Sequence, residues 1–284
     1  MIFLMKTNAF VVVLFLWFNT VFAQVPAGVL QKLNIVYTID NGWEGKLDYY
    51  QQTTKKKAPL MIYIHGGGWV HGNKDAEYDK IKVFIENGYS VANVEYRLAN
   101  QSPAPAAIED VNEAINYLLK NVKILNFDSD RIILIGGSAG AHLALLAGLQ
   151  AKYKIFNKQK FKVAAIISKY GPTDLLTWKT ATAPGSASSA WLANRKNDTA
   201  FVKSLSPVNY VSKNRIPVLF IHGDQDQTVP IQQSETLYQL LKSKGSPTQF
   251  YVVKGGKHGN FGDIETPKMD AAMLNFLSKY LSSK

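Results

Sequence analysis

Residues 132–142 read Ile132-Ile133-Leu134-Ile135-Gly136-Gly137-Ser138-Ala139-Gly140-Ala141-His142, an apolar run that leads directly into a G-x-S-x-G pattern. Glycine and serine are common, so the pattern alone is weak. Here an apolar strand precedes it and a small-residue, helix-compatible stretch follows, which is typical of a nucleophile elbow. In such an elbow a tight turn raises one serine above the sheet, and the glycines let the backbone bend without Cβ clashes. We therefore predict that Ser138 is a nucleophile rather than part of a structural glycine-rich turn.

Around this stretch, short apolar runs alternate with segments of helical periodicity. After an early hairpin, the predicted strands are Leu60–Ile64, Tyr89–Tyr96, Arg131–Ile135, Val163–Ser168, Val218–Ile221 and Thr248–Val253. The hairpin is predicted at Leu33–Thr38 and Lys46–Tyr50, and the helices at Asp79–Asn87, Pro105–Lys120, Ala141–Gln150, Glu235–Lys244 and Asp270–Leu281. This alternation predicts an α/β domain in which helices cover both faces of a mostly parallel central sheet.

The chain has 284 residues, a length that suits a single domain over residues 24–284 better than two small ones. Residues 175–215 interrupt the alternation after the sixth predicted strand. A connection this long in a compact domain is usually a lid or a binding insertion. We predict that role for it, and the alternative is an ordinary surface excursion.

Residues 1–23 have the composition of a signal peptide. Lys6 is the only charged residue, Ala9–Phe18 is apolar, and Val21-Phe22-Ala23 resembles a small-residue cleavage site. We predict cleavage after Ala23, which gives a periplasmic or secreted protein. The alternative is a retained anchor, although the apolar run is shorter than the roughly 20 residues of a bilayer span.

The chain contains no cysteine and has a formal net charge of +11. The lack of cysteine excludes disulfides, a cysteine nucleophile, thiolate metal sites and a lipobox anchor. The lysines are scattered, without an arginine-rich helix or an aromatic-interleaved basic stripe, so we interpret the charge as solvated surface and predict no nucleic-acid partner. We also expect no stable membrane insertion after signal cleavage. The oligomeric state is not specified.

A serine nucleophile needs an imidazole to accept its proton and a carboxylate to orient that imidazole. In a strand–elbow–helix architecture the chain order is serine, acid, histidine. This order excludes His65 and His71, and it disfavours His222, which precedes the best acid candidates. His142 lies on the outgoing helix and points away from the attacking oxygen. His258, in a glycine-flanked loop after the last strand, is the predicted base.

The acid should follow the strand before that loop. Asp224 and Asp226 both follow Val218–Ile221, and Asp174, after the preceding strand, is a weaker choice. The residue pattern alone barely separates Asp224 from Asp226, because either can form an Asx turn.

The developing oxyanion needs backbone N–H donors, and His65-Gly66-Gly67-Gly68-Trp69 follows a buried strand ahead of the elbow. We predict that this loop supplies one or two of them, with another from Ala139 immediately after the nucleophile. A flexible turn is the alternative. We expect His65 to pin the loop by a hydrogen bond.

Several motifs in this order resemble the α/β-hydrolase superfamily. More closely, the chain resembles HGGG-type esterases of the hormone-sensitive-lipase-like and feruloyl/acetylxylan-esterase-like group. The matching motifs are His65–Trp69, Glu95-Tyr96-Arg97-Leu98, Gly136–Gly140 with His142-Leu143-Ala144, Tyr170-Gly171-Pro172-Thr173-Asp174, Ser206-Pro207, His222-Gly223-x-x-Asp226-x-x-Val229-Pro230 and His258-Gly259. The resemblance implies the α/β-hydrolase fold and the acid Asp226. It also implies Gly67 and Gly68 as oxyanion donors, with no metal or organic cofactor.

The resemblance further implies acyl transfer through a serine ester. We predict short-acyl or aromatic carboxylic esters as the substrates. The modest insertion after Asp174 suggests a partly open cleft. Such a cleft, together with export, favours acetyl or feruloyl esters on polysaccharide. The alternatives are a general short-chain carboxylesterase and a kynurenine-formamidase-like amidase or a lactonase. A hydrolase-fold binding protein without activity would lack a catalytic residue, and none is missing from the pattern.

Three tryptophans are candidates for the substrate cleft. We predict that Trp69 forms the acyl-side wall, and that Trp178 and Trp191 are aromatic platforms on the insertion. Core packing is the alternative for all three.

Overall fold

One eight-stranded sheet organises the protein. The computed structural model describes residues 25–54, 56–151, 153, 156, 161–212 and 216–281, so the predicted signal peptide at 1–23 lies outside the described residues. The strand order is β1-β2-β4-β3-β5-β6-β7-β8. The strands are β1 (Val29–Asp40), β2 (Trp43–Gln52), β3 (Ala58–Ile64), β4 (Ser90–Val94), β5 (Phe127–Gly137), β6 (Ala165–Lys169), β7 (Val218–Gly223) and β8 (Thr248–Val253). The β1–β2 and β2–β4 pairs are antiparallel, and the other five pairs are parallel.

Helices cover both faces of this sheet. They are α1 (Tyr78–Glu86), α2 (Ala106–Lys120), α3 (Val122–Leu125), α4 (Ala139–Gln150), α5 (Ala187–Leu192), α6 (Thr199–Ser204), α7 (Gln232–Ser243) and α8 (Gly262–Leu281). Short 3₁₀ turns occur at Lys74–Glu77, Ala193–Arg195 and Pro207–Tyr210. One core cluster contains side chains of α2, α4 and α7, and the other contains those of α1 and α8. The predicted two-sided α/β architecture is confirmed. Within the described residues, no helix has both the length and the apolar character that a membrane span needs.

The apolar run of β5 is continuous because both sides of the strand are buried. Ile132 and Leu134 pack into the cluster under α2 and α4, whereas Ile133 and Ile135 pack into the cluster under α1 and α8. β5 begins at Phe127, four residues before the predicted start. A register shift against β3 accommodates the intervening polar residues, so the hydrophobic pattern alone marked only the second part of the strand.

The turn from β5 into α4 is tight. Ser138 has φ 53° and ψ −121°, and its N–H donates to the Lys169 carbonyl at 2.9 Å. All twelve residues of α4 are buried. The helix starts directly against β3, where a Cβ on Gly140 would lie 2.1 Å from the Ile64 carbonyl oxygen. Gly140, the second glycine of the G-x-S-x-G motif, therefore permits the close contact between α4 and β3 that holds the elbow in place.

The C-terminal helix α8 is longer than predicted. It begins at Gly262 rather than Asp270 and contains Pro267 in its second turn. Proline lacks an N–H and usually ends a helical pattern, so the sequence favoured a start after it. Asp263 and Glu265 in the first turn lie at the helix end where negative charge is favourable.

Candidate active site

Three side chains meet beyond the carboxyl ends of parallel strands. Ser138 follows β5, Asp226 follows β7, and His258 follows β8. The distance from His258 Nε2 to Ser138 Oγ is 2.9 Å, and His258 Nδ1 lies 2.7 Å from Asp226 Oδ2. A carboxylate can only accept, so Nδ1 carries the proton and Nε2 is free to accept from the serine hydroxyl. This geometry is suited to proton transfer away from the serine.

Asp226 is held as a carboxylate by donors on both oxygens. Its Oδ1 accepts the N–H groups of Thr228 and Val229, each at 2.9 Å, while Oδ2 faces His258 and, at 3.2 Å, His222 Nε2. Burial by itself would raise the pKa of Asp226. The hydrogen bonds from His222, His258 and Val229 outweigh burial and hold the pKa well below its usual range. The site therefore keeps a fixed negative charge beside the imidazole.

The other acid candidates have different partners. Asp224 accepts the Gly255 N–H at 2.7 Å and pairs with Lys254 at 3.2 Å. Asp174 Oδ1 accepts the Leu176 N–H at 3.0 Å. The structure thus brings Asp226, and neither Asp224 nor Asp174, into hydrogen-bonding distance of the predicted base.

The glycine loop lies directly against the elbow. A Cβ on Gly66 would be 2.8 Å from the Gly137 carbonyl oxygen and 3.7 Å from Ser138 Cβ. Gly67 has φ +111°, and a Cβ there would lie 1.9 Å from the His71 carbonyl oxygen. Gly67 and Gly68 both line the cavity that contains Ser138.

Ala139, the third predicted donor, is the first residue of α4, so its N–H has no partner within the helix. The predicted oxyanion residues and the nucleophile therefore lie side by side.

His65 anchors the loop from below. Its buried ring stacks on Tyr96 with centroids 4.1 Å apart, and its Nδ1 lies 2.7 Å from the Gly66 carbonyl oxygen, which can only accept. Burial lowers the pKa of His65, so the ring is held neutral. The expected pinning hydrogen bond is present.

The site opens into a cavity of about 710 Å³. The insertion contributes part of its lining. The contributing residues are Trp178, Thr180, Ser186, Ala187 and Ser188. Trp178 is half-buried and can serve as an aromatic surface.

The other two tryptophans belong to the core. Trp191 is fully buried, so its prediction as a platform is wrong. Its ring stacks on Trp69, with centroids 4.5 Å apart and planes 7° from parallel. Trp69 reaches the cavity lining but is only 1% exposed, which makes it mainly a support beneath the loop. The sequence alone does not distinguish a tryptophan that forms a cavity wall from one that packs in the core.

Two residues near the base were missed by sequence reasoning. His222 was considered only as a base, yet its Nε2 faces both Asp226 and the Val229 carbonyl at 2.9 Å, and its Nδ1 lies 2.8 Å from Ser234 Oγ. Tyr170 packs edge-on against His258, with ring centroids 5.0 Å apart. The position of Tyr170 directly after β6, at the sheet edge shared with the elbow, was the available signal.

The buried His142 makes the stability of the fold depend on pH. The buried ring donates from Nε2 to the Leu205 carbonyl at 2.7 Å and packs edge-on against Trp69 and Trp191, so it connects α4 to the insertion. Burial lowers the pKa of His142 to about 4, although the bond to Leu205 acts in the opposite direction. In the unfolded chain this histidine has a pKa of about 6.5. As the pH falls, the unfolded state therefore binds the proton before the folded state does.

We therefore expect this residue to lower the free energy of unfolding by on the order of 3 kcal/mol as the pH falls from above 6.5 to about 4. His142→Gln keeps a donor and has no such titration. Urea denaturation should show the wild-type advantage over this variant shrinking between pH 7 and pH 4.5. A difference in stability that does not change with pH would contradict the assignment.

The chain is similar in sequence and in fold to several known proteins. A family model described as BD-FAE matches residues 47–241. Esterase LipQ of Mycobacterium tuberculosis is 29% identical over 78% of this chain and 55% of its own length, so the chain spans about half the length of this relative. Kynurenine formamidase of Drosophila melanogaster is 25% identical over 78% of this chain and 72% of that protein.

One solved structure, described as a truncated form of a carbohydrate esterase from gut microbiota, superimposes with a TM-score of 0.75. It is 26% identical, and the match covers 87% of this chain and 96% of that one.

Proposed function

The chain belongs to the BD-FAE family, and on that basis we propose that it is a serine carboxylic ester hydrolase with Ser138 as nucleophile, His258 as base and Asp226 as acid. The observation that carries the proposal is the hydrogen-bonded series Ser138–His258–Asp226 beside a glycine loop. A serine is a poor nucleophile unless an adjacent base accepts its proton, and this series supplies that base.

In the first half-reaction, His258 Nε2 accepts the Ser138 proton as Oγ attacks the ester carbonyl. The N–H groups of Gly67, Gly68 and Ala139 donate to the oxyanion, a contribution often worth roughly 3 kcal/mol per donor. His258 then gives the proton to the leaving alcohol, and the acyl group stays on Ser138.

In the second half-reaction, water takes the place of the alcohol. His258 accepts a proton from the water as the water oxygen attacks the acyl carbonyl. His258 then returns that proton to Ser138 Oγ as the carboxylic acid leaves. Asp226 remains ionised throughout, because it keeps the imidazole in one tautomer and stabilises its charged form.

The proposed substrates are short-acyl or aromatic carboxylic esters, in particular acetyl or feruloyl esters carried by polysaccharide. Similarity to a carbohydrate esterase over most of both chains supports this choice. The half-buried Trp178 at the cavity wall supports it too, because a sugar or ferulate ring can stack on an exposed indole face.

The test compares p-nitrophenyl acetate with acetylated and feruloylated xylan. The proposal predicts turnover of the small ester together with release of acetate or ferulate from the polymer. Hydrolysis of the small ester alone would indicate a general short-chain carboxylesterase. Failure to hydrolyse any of them would contradict the proposed reaction.

A second candidate activity is hydrolysis of an aryl formamide, favoured by the similarity to kynurenine formamidase. The same three residues could cleave a formamide through a formyl-serine. N-formylkynurenine as substrate distinguishes this candidate, which requires a kcat/KM above that for p-nitrophenyl acetate.

We also propose that the protein is exported, because residues 1–23 have the pattern of a cleavable signal. Sequencing the N-terminus of the mature protein tests this, with Gln24 as the expected first residue. A first residue within 1–23 would contradict it.

His222 is expected to act as a positioning residue for Asp226. Its Nε2–H is shared between the Val229 carbonyl and Asp226 Oδ2, which fixes the carboxylate that orients the base. His222→Leu should lower kcat/KM about 10-fold, with little change in KM, and should move the acidic limb of the pH–rate profile. His222→Gln keeps an N–H donor and should recover part of the loss. Equal losses in both variants with an unchanged pH profile would show a purely structural role.

A further inference from the structure

The only Asp, Glu, Lys or Arg side chains among the described residues that line the active-site cavity belong to one ion pair. These side chains are Glu77, at the end of the 3₁₀ turn before α1, and Lys80, in the first turn of α1. The distance from Lys80 Nζ to the Glu77 carboxylate is 2.9 Å. Neither residue takes part in the proposed acyl transfer, so a charged pair in this position calls for a role of its own.

A third polar group completes the cluster. The Tyr63 hydroxyl donates to Glu77 Oε2 at 2.9 Å. Burial and the nearby Glu77 charge raise the pKa of Tyr63 well above its usual value, so the hydroxyl keeps its proton. Glu77 is only 7% exposed, whereas the Lys80 side chain is 49% exposed and can turn toward a ligand.

The cluster lies on the same side of the cavity as the base. Tyr63 belongs to the core cluster against which Phe261 packs. Tyr170 lies edge-on to both Phe261 and His258, with ring centroids 5.5 and 5.0 Å apart. Burial, together with the nearby Glu77 charge, raises the pKa of Tyr170 to about 12. In the proposed mechanism His258 protonates the leaving oxygen, so the leaving alcohol must be next to His258. The Glu77 cluster therefore faces the alcohol half of the ester.

The composition of the cluster restricts what it can bind. An anion would meet the Glu77 carboxylate and a cation would meet Lys80, so a net charge on the ligand is repelled by one member of the pair. An alkyl chain would remove water from both charges without replacing any hydrogen bond, which is costly. A neutral group with several hydroxyls avoids both penalties, because each hydroxyl can donate to a carboxylate and accept from an ammonium.

We propose that Tyr63, Glu77 and Lys80 form an alcohol-side subsite that binds the hydroxyl groups of a polyhydroxy leaving group. The subsite makes the enzyme select esters of polyols over esters of plain alkyl alcohols of the same size. This inference rests on the proposed esterase function and adds to it the residues that recognise the alcohol.

The test uses two acetate esters with the same three-carbon skeleton, glyceryl 1-monoacetate and n-propyl acetate. Each kcat/KM is divided by the rate constant for alkaline hydrolysis of that ester, which removes the difference in intrinsic reactivity. The wild-type protein should prefer the glyceryl ester by about 10-fold or more, as expected for hydrogen bonds to charged groups. A corrected ratio near one would overturn the subsite.

Lys80→Met then assigns the preference to the cluster. This lysine is half-exposed on a helix, so the variant should fold, and the glyceryl-to-propyl ratio should fall at least about threefold toward one. The matched control is Lys82→Met on the same helix, where the side chain is half-exposed, pairs with Glu86 and does not line the cavity. It should leave the ratio unchanged. Equal ratios for wild type and Lys80→Met would overturn the assignment.

Hydrolysis of p-nitrophenyl acetate distinguishes a failure of the proposed subsite from a failure of the proposed esterase function. If the wild-type protein hydrolyses it without preferring the glyceryl ester, the subsite is wrong and the esterase function stands. If it hydrolyses none of the three esters, the esterase function itself is wrong.

Discussion

Ser138→Ala should lower kcat for p-nitrophenyl acetate by about 10⁴-fold or more, leaving at most a slow residual rate. Alanine removes the Oγ that lies 2.9 Å from His258 Nε2 and leaves the rest of the site in place. Residual activity would come from oxyanion stabilisation and binding alone. Stopped-flow or steady-state release of p-nitrophenol measures the effect.

Ser168→Ala is the matched control for this variant. Ser168 is a buried serine in β6, it does not line the cavity, and its hydroxyl has no hydrogen-bond partner among the described residues. We expect the control to keep wild-type kcat and the thermal midpoint of both variants to stay close to that of wild type. A Ser138→Ala protein that keeps more than about a tenth of wild-type kcat would remove this residue from the mechanism.

Asp226→Asn should cost about 10³- to 10⁴-fold in kcat/KM. All four groups that contact this carboxylate are donors: the Thr228 and Val229 N–H groups on one oxygen, and His222 and His258 on the other. An amide has only one acceptor end, so in either orientation its NH₂ faces two donors. The variant therefore loses the imidazole orientation and also leaves buried donors unpaired.

Asp224→Asn tests the choice between the neighbouring acids. Asp224 lies in the same loop but bonds to the Gly255 N–H and Lys254 at the surface. We expect kcat/KM within about twofold of wild type, because Asp224 does not contact the base and its ion pair at the surface contributes little to stability. Comparable losses in both variants would mean that the loop as a whole, rather than the Asp226 carboxylate, is required.

The sheet was predictable because a buried parallel strand leaves a plain hydrophobic signal. Thr248–Val253 matches its predicted bounds, and the β5 run leads into the elbow as expected. The errors lie where polar residues or proline interrupt the pattern. The first part of β5 is polar and shifted in register, and α8 continues through Pro267. Sheet pairing and tertiary packing, which local sequence does not encode, decided both cases.

The candidate site was predictable as far as chain order constrains it. That order places Ser138 and His258 after particular strands, and the structure puts their side chains in contact. The choice of Asp226 over Asp224 as the acid required the family pattern, because two aspartates in one turn differ only in the direction of their side chains. The contacts of His222, Tyr170 and Glu77 depend on distant segments coming together. The motifs that contain His222 and Tyr170 therefore indicate where these residues lie in the chain but not what they contact.

Covalent labelling with diethyl p-nitrophenyl phosphate tests Ser138 itself, because this reagent transfers its diethylphosphoryl group to an activated serine and releases p-nitrophenol. If Ser138 is the nucleophile, we expect release of one equivalent of p-nitrophenol, loss of ester hydrolysis with the same time course, and one diethylphosphoryl group on the peptide that contains Ser138. Ser138→Ala should remain unlabelled. Stoichiometric labelling at another residue with full inactivation, or no labelling of an active protein, would contradict a nucleophilic Ser138.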